Sequence, residues 1–308
     1  MRPRLPSWFR RPLPPGAEGA RVKRLLGRLA LHTVCEGARC PNRAACWQDR
    51  AAAFLILGDA CTRDCRFCAI PHNPSPAPPD PGEPDRLAEA AAAMGLRYVV
   101  VTSVTRDDLP DGGAAAFAAV IRAIRARLPG ARVEVLVPDF QGRETSIDTV
   151  LAEAPDILNH NLETVARLHP AVRPQADYRR SLGVLRHAAR AGARTKSGLM
   201  LGMGETDAEL RDALRDLRDA GVSLLTLGQY LAPSVRHHPV DRFVPHAEFD
   251  AWRDEALALG FDSVAAGPEI RSSYHAEELA AAPPATPHSS TISPFRSSNI
   301  PLPSPPSP

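Results

Sequence analysis

The stretch Phe54-Leu-Ile-Leu-Gly-Asp-Ala-Cys61-Thr-Arg-Asp-Cys65-Arg-Phe67-Cys68 runs from four apolar residues straight into a C-x3-C-x2-C triplet. A short apolar run bounded by Gly58 and Asp59 reads as a buried strand. The cysteines then lie on the loop after that strand, the end of a parallel α/β barrel where chemistry is assembled. A cubane iron-sulfur cluster takes one ligand on each of its four irons, and a loop with such spacings can wrap three thiolates around it. Three cysteines leave one iron open.

Outward from this point, apolar β-branched runs alternate with stretches of helical period. Strands are predicted at 54–57, 98–101, 133–137, 156–158, 195–201 and 223–227, with helices between them such as 113–128, 178–191 and 206–220. Thr206 and Glu209 form a capping-box pair, and Gly192 and Gly221 stand where helices stop. Strand, helix, strand in repetition predicts parallel strands with right-handed crossovers. Six units fall short of the eight of a closed barrel, so the fold class expected is α/β, a partial (β/α)6 TIM-like barrel with an N-terminal cluster-binding extension. A seventh unit, helix 246–259 and strand 261–265, can close one edge. The domain reading is an extension over 1–50 opened by a basic amphipathic helix at 19–31, the barrel with a C-terminal Arg-Ser-Ser-Tyr segment over 51–279, and a tail over 280–308. That tail holds nine prolines and seven serines with few apolar residues, too little burial to offset ordering entropy, so it is expected to be disordered.

The 308 residues are 44% hydrophobic and 23% charged, enough for one large domain. Basic and acidic residues balance at 37 and 35, a formal charge of +2, which supplies no global field for nucleic acid or an anionic membrane. No apolar run approaches the roughly 20 residues of a membrane span. Pro3, Pro6, Pro12, Pro14 and Pro15 forbid the amphipathic helix of a transit peptide, and a cytoplasmic protein is expected. All six cysteines fall between 35 and 68, which disfavours a disulfide framework. A zinc site is the plainer rival, but only Cys65 and Cys68 form a C-x2-C pair.

An iron left open can be chelated by the amino and carboxylate groups of S-adenosylmethionine. Reduction then breaks a carbon-sulfur bond and releases a 5′-deoxyadenosyl radical able to abstract hydrogen from an alkyl C–H. The triplet after a strand, with Phe67 before its last cysteine, resembles the signature of the radical S-adenosylmethionine superfamily. Upstream, Cys35, Cys40 and Cys46 form a C-x4-C-x5-C triplet, and no fourth cysteine remains. A second cluster there needs a remote oxygen or nitrogen donor. The polar run Arg271-Ser272-Ser273-Tyr274-His275 offers one, and the residues alone do not choose among Ser272, Ser273 and His275.

Taken together, these motifs resemble the lipoyl synthase family over roughly 6–278. Further matching segments are Ser-Val-Thr-Arg-Asp-Asp-Leu from Ser103, Asn-His-Asn-Leu-Glu-Thr-Val from Asn159, Thr-Lys-Ser-Gly-Leu-Met-Leu-Gly from Thr195 and Gly-Gln-Tyr-Leu from Gly228. The run Leu-Ala-Pro-Ser-Val-Arg-His-His-Pro-Val after Tyr230 is slightly rearranged, and the tail has no counterpart. The resemblance implies Ser273 as the unusual fourth ligand of an auxiliary cluster, and Cys61, Cys65, Cys68 and Ser273 as the catalytic set. It implies two 4Fe-4S clusters, S-adenosylmethionine, and insertion of two sulfur atoms at C6 and C8 of a protein-bound octanoyl group. It also implies as partners an octanoylated lipoyl-carrier domain or H protein, an electron donor such as flavodoxin or ferredoxin, and a cluster-repair carrier. A biotin synthase-like enzyme, a methylthiotransferase or a zinc-stabilised module are the alternatives.

Cofactor contacts are expected at Phe67, at Thr102, Ser103 and Asp107 after the second strand, and at Asn159, Asn161 and Glu163 after the fourth. Turn and helix capping is the competing reading of the Asp and Asn positions. Lys196 and Ser197 read as interior polar contacts; Arg271 reads as a substrate, cluster or chain-end anchor. His32, His160, His237 and His238 are expected to pack or hydrogen-bond rather than ligate metal.

Overall fold

The computed structural model describes residues 5–9 and 17–281; the expected disordered tail lies, beyond Ala281, outside the described residues. Eight strands form one sheet: β1 His32–Thr33, β2 Ala53–Ile56, β3 Tyr98–Ser103, β4 Arg132–Leu136, β5 Ile157–Asn159, β6 Thr195–Leu201, β7 Leu224–Gln229 and β8 Ser263–Gly267. Their order in space is their order in the chain. From β2 to β8 every neighbour is parallel, while β1 pairs antiparallel with β2 through His32↔Leu55 and Thr33↔Phe54. The two edges do not pair, so the sheet is a partial barrel.

All six expected parallel strands form, and the seventh unit adds β8 along β7. These strands read clearly because both of their faces are covered: every residue of β2 and of β7 is buried. Leu87, Phe117 and Ile121 on the surrounding helices fill one side of the core with Phe54, Ile56, Val99 and Val101, all at 0% exposure. The capping box at Thr206 and Glu209 opens helix Asp207–Asp219 as expected. Helix Glu83–Met94 was hidden behind the proline-dense connection, which includes Pro84. A proline in the first turn is tolerated because its missing N–H would have had no helical partner. The N-terminal helix Ala17–Arg28 turns Val22 and Leu26 onto this core.

After β8 the chain does not leave along the surface. Its segment 268–275 passes against the inner faces of β6 and β7, where two glycines make room. A Cβ on Gly228 would overlap the Ile270 carbonyl oxygen, and one on Gly198 would come within 3.1 Å of the Ser272 hydroxyl. Helix Ala276–Ala281 then plugs the barrel among Ala53, Tyr98, Ile157 and Leu224, near the starting ends of their strands. Arg194 donates to the Ala280 carbonyl at 2.6 Å and secures the plug.

Candidate active site

Beyond β2, Leu57 and Gly58 adopt φ of +68° and +95°, turning the chain outward into the Cys61, Cys65 and Cys68 loop. Arg63, only 3% exposed, braces this loop by forking onto two carboxylates. It meets Asp107 at 2.6 and 2.9 Å and the fully buried Asp139 at 2.7 and 3.0 Å. The Cys61 sulfur accepts from the amides of Arg63 and Thr105 at 3.4 and 3.3 Å. On the other side the Cys68 carbonyl meets His237 Nε2 at 2.9 Å, and His237 Nδ1 meets the Ser234 hydroxyl at 2.8 Å. A carbonyl can only accept, so the proton sits on Nε2 and Ser234 donates to Nδ1. The adjoining His238 amide donates to the Arg66 carbonyl at 2.8 Å. The loop is thus held by β3, β4 and the segment after β7.

Burial pushes the Cys68 thiol up to about 12, with the charges of Cys65 and Cys61 adding to it. Burial likewise raises Cys65, against the opposing charge of Arg173. Two raised thiols, each pushed further by its neighbours on the same loop, call for a shared cation. Yet among the described residues no three His, Cys, Asp or Glu side chains gather closely enough to hold a single metal ion. Three soft thiolates on one loop are the donor set that an iron-sulfur cubane takes, one to an iron.

The upstream triplet behaves alike. Cys35 lies on the short helix Val34–Gly37, capped by Thr33, Cys46 lies on helix Arg43–Gln48, and Cys40 lies between them. Burial pushes Cys46 up to about 12, helped by the charges of Cys35 and Cys40. Against this triplet stands the segment that threads the barrel. Asn42 donates to the Glu269 carbonyl at 2.6 Å, and half-buried Arg271, lowered by desolvation, has Cys40 and Glu269 as its opposing charges. Of the three donors left open by sequence, Ser272 is held by its hydroxyl, which donates to Asn161 Oδ1 at 2.7 Å. His275 is exposed and pairs with Glu278 at 2.7 Å. The Ser273 hydroxyl makes no hydrogen bond among the described residues.

Residues 55–217 match the family model of the Radical SAM superfamily, and residues 1–40 match that of the N-terminal domain of lipoyl synthase of the radical SAM family. Over 281 residues the chain is 57% identical to the lipoyl synthase of Methylococcus capsulatus, covering 90% of this chain and 87% of that one. It is 52% identical over 275 residues to the lipoyl synthase of Chlorobium phaeovibrioides, covering 89% and 97%. The chain belongs to the lipoyl synthase family. Two solved structures share the fold alone. HydG, a maturase of the [FeFe]-hydrogenase, aligns with TM-score 0.53 and 17% identity over 67% of this chain and 48% of that one. Streptococcus suis SuiB bound to S-adenosylmethionine aligns with TM-score 0.52 and 9% identity over 70% and 50%. The enzyme is thus a radical S-adenosylmethionine protein, and among the described residues no helix is long and apolar enough to cross a membrane.

In this lipoyl synthase family member the expected cofactor contacts separate into two groups. Thr102 donates to the Leu136 carbonyl at 2.9 Å, Asp107 receives Arg63, and fully buried Asn159 donates to Glu134 at 3.0 Å, so all three have partners within the chain. The Ser103 hydroxyl at the end of β3 and the Asn159 Oδ1 are buried without a partner among the described residues. Phe67 packs half-buried against the core. Glu163 adopts φ +71°, fixed by its amide to the Gly198 carbonyl at 2.9 Å and its carbonyl to the Met200 amide at 2.8 Å. Its carboxyl, raised by burial and opposed by Arg173, is near enough to raise Cys65 and Cys68. A non-glycine residue held in left-handed backbone beside the reactive loop is strain of the kind stored at functional sites. Arg63, Arg173 and His237 carry no local sequence signal; each is recognised only from what the fold brings to it.

His160 and His169, each 1% exposed, are lowered to about 4 by burial, reinforced by Arg173. Unfolded histidine takes a proton near pH 6.5, so between about 6.5 and 4 the unfolded chain binds protons that the folded one refuses. Stability is therefore expected to fall as pH drops through that window, by roughly 3 kcal/mol per histidine. Denaturant unfolding at stepped pH checks this; equal stability at both ends of the window would contradict it.

Proposed function

We propose that the enzyme inserts two sulfur atoms, at C6 and C8, into an octanoyl-lysine side chain carried by another protein, using two 4Fe-4S clusters. The observation that carries this reading is the meeting of the Cys35, Cys40 and Cys46 region with 269–273, through Asn42 to Glu269 and Cys40 beside Arg271. When bound, the loop cluster supplies the electron that cleaves S-adenosylmethionine, and the auxiliary cluster supplies sulfur. Cys61, Cys65 and Cys68 leave one corner for the amino acid moiety of S-adenosylmethionine. Ser103, Asn161 and Glu163 are the side chains suited to orient that cofactor. Cys35, Cys40, Cys46 and Ser273 hold the second cluster. A hydroxyl or alkoxide is a harder, more exchangeable donor to iron than thiolate, which suits a cluster that is consumed.

The substrate protein is an octanoylated lipoyl-carrier domain or H protein. A flavodoxin or ferredoxin supplies electrons, a cluster-repair carrier restores the sulfur source, and the setting is cytoplasmic. The auxiliary triplet with its serine favours this over a biotin synthase-like reaction. Anaerobic protein is expected to carry about eight irons if each cubane assembles fully. With reductant, S-adenosylmethionine and an octanoyl-lysine peptide it is expected to yield thiolated peptide together with 5′-deoxyadenosine. Deoxyadenosine without thiolated peptide would remove the lipoyl reading and leave the radical one. Ser273→Cys is expected to assemble both clusters yet lose most sulfur transfer; full turnover in that variant would overturn the role of the serine.

A further inference from the structure

Neither triplet accounts for the ion pair buried inside the barrel. Lys196 on β6 and Glu134 on β4 are both 0% exposed. The Lys196 ammonium lies 2.8 and 3.1 Å from the two Glu134 oxygens and 2.6 Å from the carbonyl oxygen of Ser272. Its three protons have three acceptors. Glu134 is saturated in turn by the Tyr98 hydroxyl at 2.6 Å and the Asn159 amide at 3.0 Å. Four successive strands, β3 to β6, therefore meet at one ion pair, and the ammonium's remaining bond goes to the threading segment.

A buried ion pair is a poor way to add stability, because desolvating two charges costs about what their attraction returns. Apolar side chains would fill the same space. They would not hold a carbonyl oxygen at a fixed point. That oxygen belongs to the peptide plane that also contains the Ser273 amide and Cα, so fixing it fixes where Ser273 begins. Ser272 is held a second time through its hydroxyl to Asn161, and Gly198 leaves space for both groups.

We propose that Lys196, anchored by Glu134, is a positioning residue for the auxiliary site, setting the Ser272–Ser273 peptide so that the Ser273 hydroxyl meets its iron. The inference rests on the reading of Ser273 as the fourth donor. Outer partners of metal ligands typically cost ten- to a hundredfold in affinity or activity when removed.

The test uses Lys196→Met combined with Glu134→Gln, which leaves no unpaired charge in the interior, and Tyr98→Phe, which removes one hydroxyl from the pair at unchanged volume. Full-length protein is loaded with iron-57 with Cys61, Cys65 and Cys68 replaced by alanine, so that Mössbauer spectra report the auxiliary cluster alone. The otherwise intact enzyme is assayed for thiolated peptide per 5′-deoxyadenosine. Expected is a changed signal from the unique iron in the double variant, matching Ser273→Ala, with the product ratio down about ten- to a hundredfold. Tyr98→Phe is expected to shift both readouts in the same direction by less, and it decides the matter should the double variant not fold. Should Ser273→Ala alter the unique iron while the charge-pair variants leave spectrum and ratio as in the parent, the positioning role is overturned and the serine reading stands. Should Ser273→Ala itself leave the spectrum unchanged, both fall.

Discussion

Gly228→Ala is expected to fold and yet lose the auxiliary cluster. Gly228 faces the threading segment, and a Cβ there would overlap the Ile270 carbonyl oxygen and stand 3.1 Å from its carbon. Both atoms are backbone, so no side chain can swing aside. Keeping the segment in place means accepting overpacking of about 1–3 kcal/mol, and releasing it costs the helix Ala276–Ala281 its seat. Releasing it carries Arg271 away from Cys40 and moves Ser273, the proposed fourth donor, with it. Iron content is expected to fall from about eight toward about four, with 5′-deoxyadenosine still formed and thiolated product lost. Gly183→Ala is the matched control: in helix Tyr178–Arg190 its added methyl meets nothing within 4 Å, and a gain of about 0.5–1 kcal/mol is expected. A Gly228→Ala protein with normal iron and normal product would contradict the description of the threading segment.

Arg63→Met should be the most destabilising single change at the radical loop. It strips Asp107 and Asp139 of their shared partner, leaving Asp139 the Gln141 amide at 3.0 Å and Arg180 at 3.5 Å. Removing one member of a buried pair typically costs about 3–5 kcal/mol. Burial alone would raise the Asp139 carboxyl, but hydrogen bonds and charge from Arg63 hold it well below the usual carboxylate range. In the parent that contributes stability present above about pH 4 and lost as pH falls below it. In the variant, burial prevails and Asp139 prefers its proton, so the difference in melting temperature between parent and variant should shrink on acidification from pH 7 to 5. Lysine cannot fork onto two carboxylates and is not expected to rescue. A pH-independent difference would show that the loss comes from packing alone.

Much of the barrel is legible because its strands are covered on both faces and so read as unbroken apolar runs, such as Val99, Val100 and Val101. β1, with two residues, is too short to carry any period, and its pairing with β2 depends on where the cysteine extension packs. The radical loop is local, three cysteines within eight positions, and can be read directly. The auxiliary site is not. Ser272 and Ser273 are chemically identical neighbours, and what separates them is Asn161, 111 positions away, and Lys196, 76 positions away, both claiming Ser272. Thr102, Asp107 and Asn159 are open for the same reason: polar residues at strand ends suit a cofactor and a scaffold equally, and their partners Leu136, Arg63 and Glu134 come from distant parts of the chain.

The threading segment also orders events in time. Spatial order along the sheet equals chain order, so strands can add one after another as the chain emerges from the ribosome, N-terminal parts first. Cys35, Cys40 and Cys46 are synthesised before any barrel strand but β1, and Ser273 after the last of them. If these are the four ligands proposed above, the first three are made well before the fourth, which follows β8. On the proposed ligand set, a cluster at that half of the enzyme is complete only after the barrel behind it has been made.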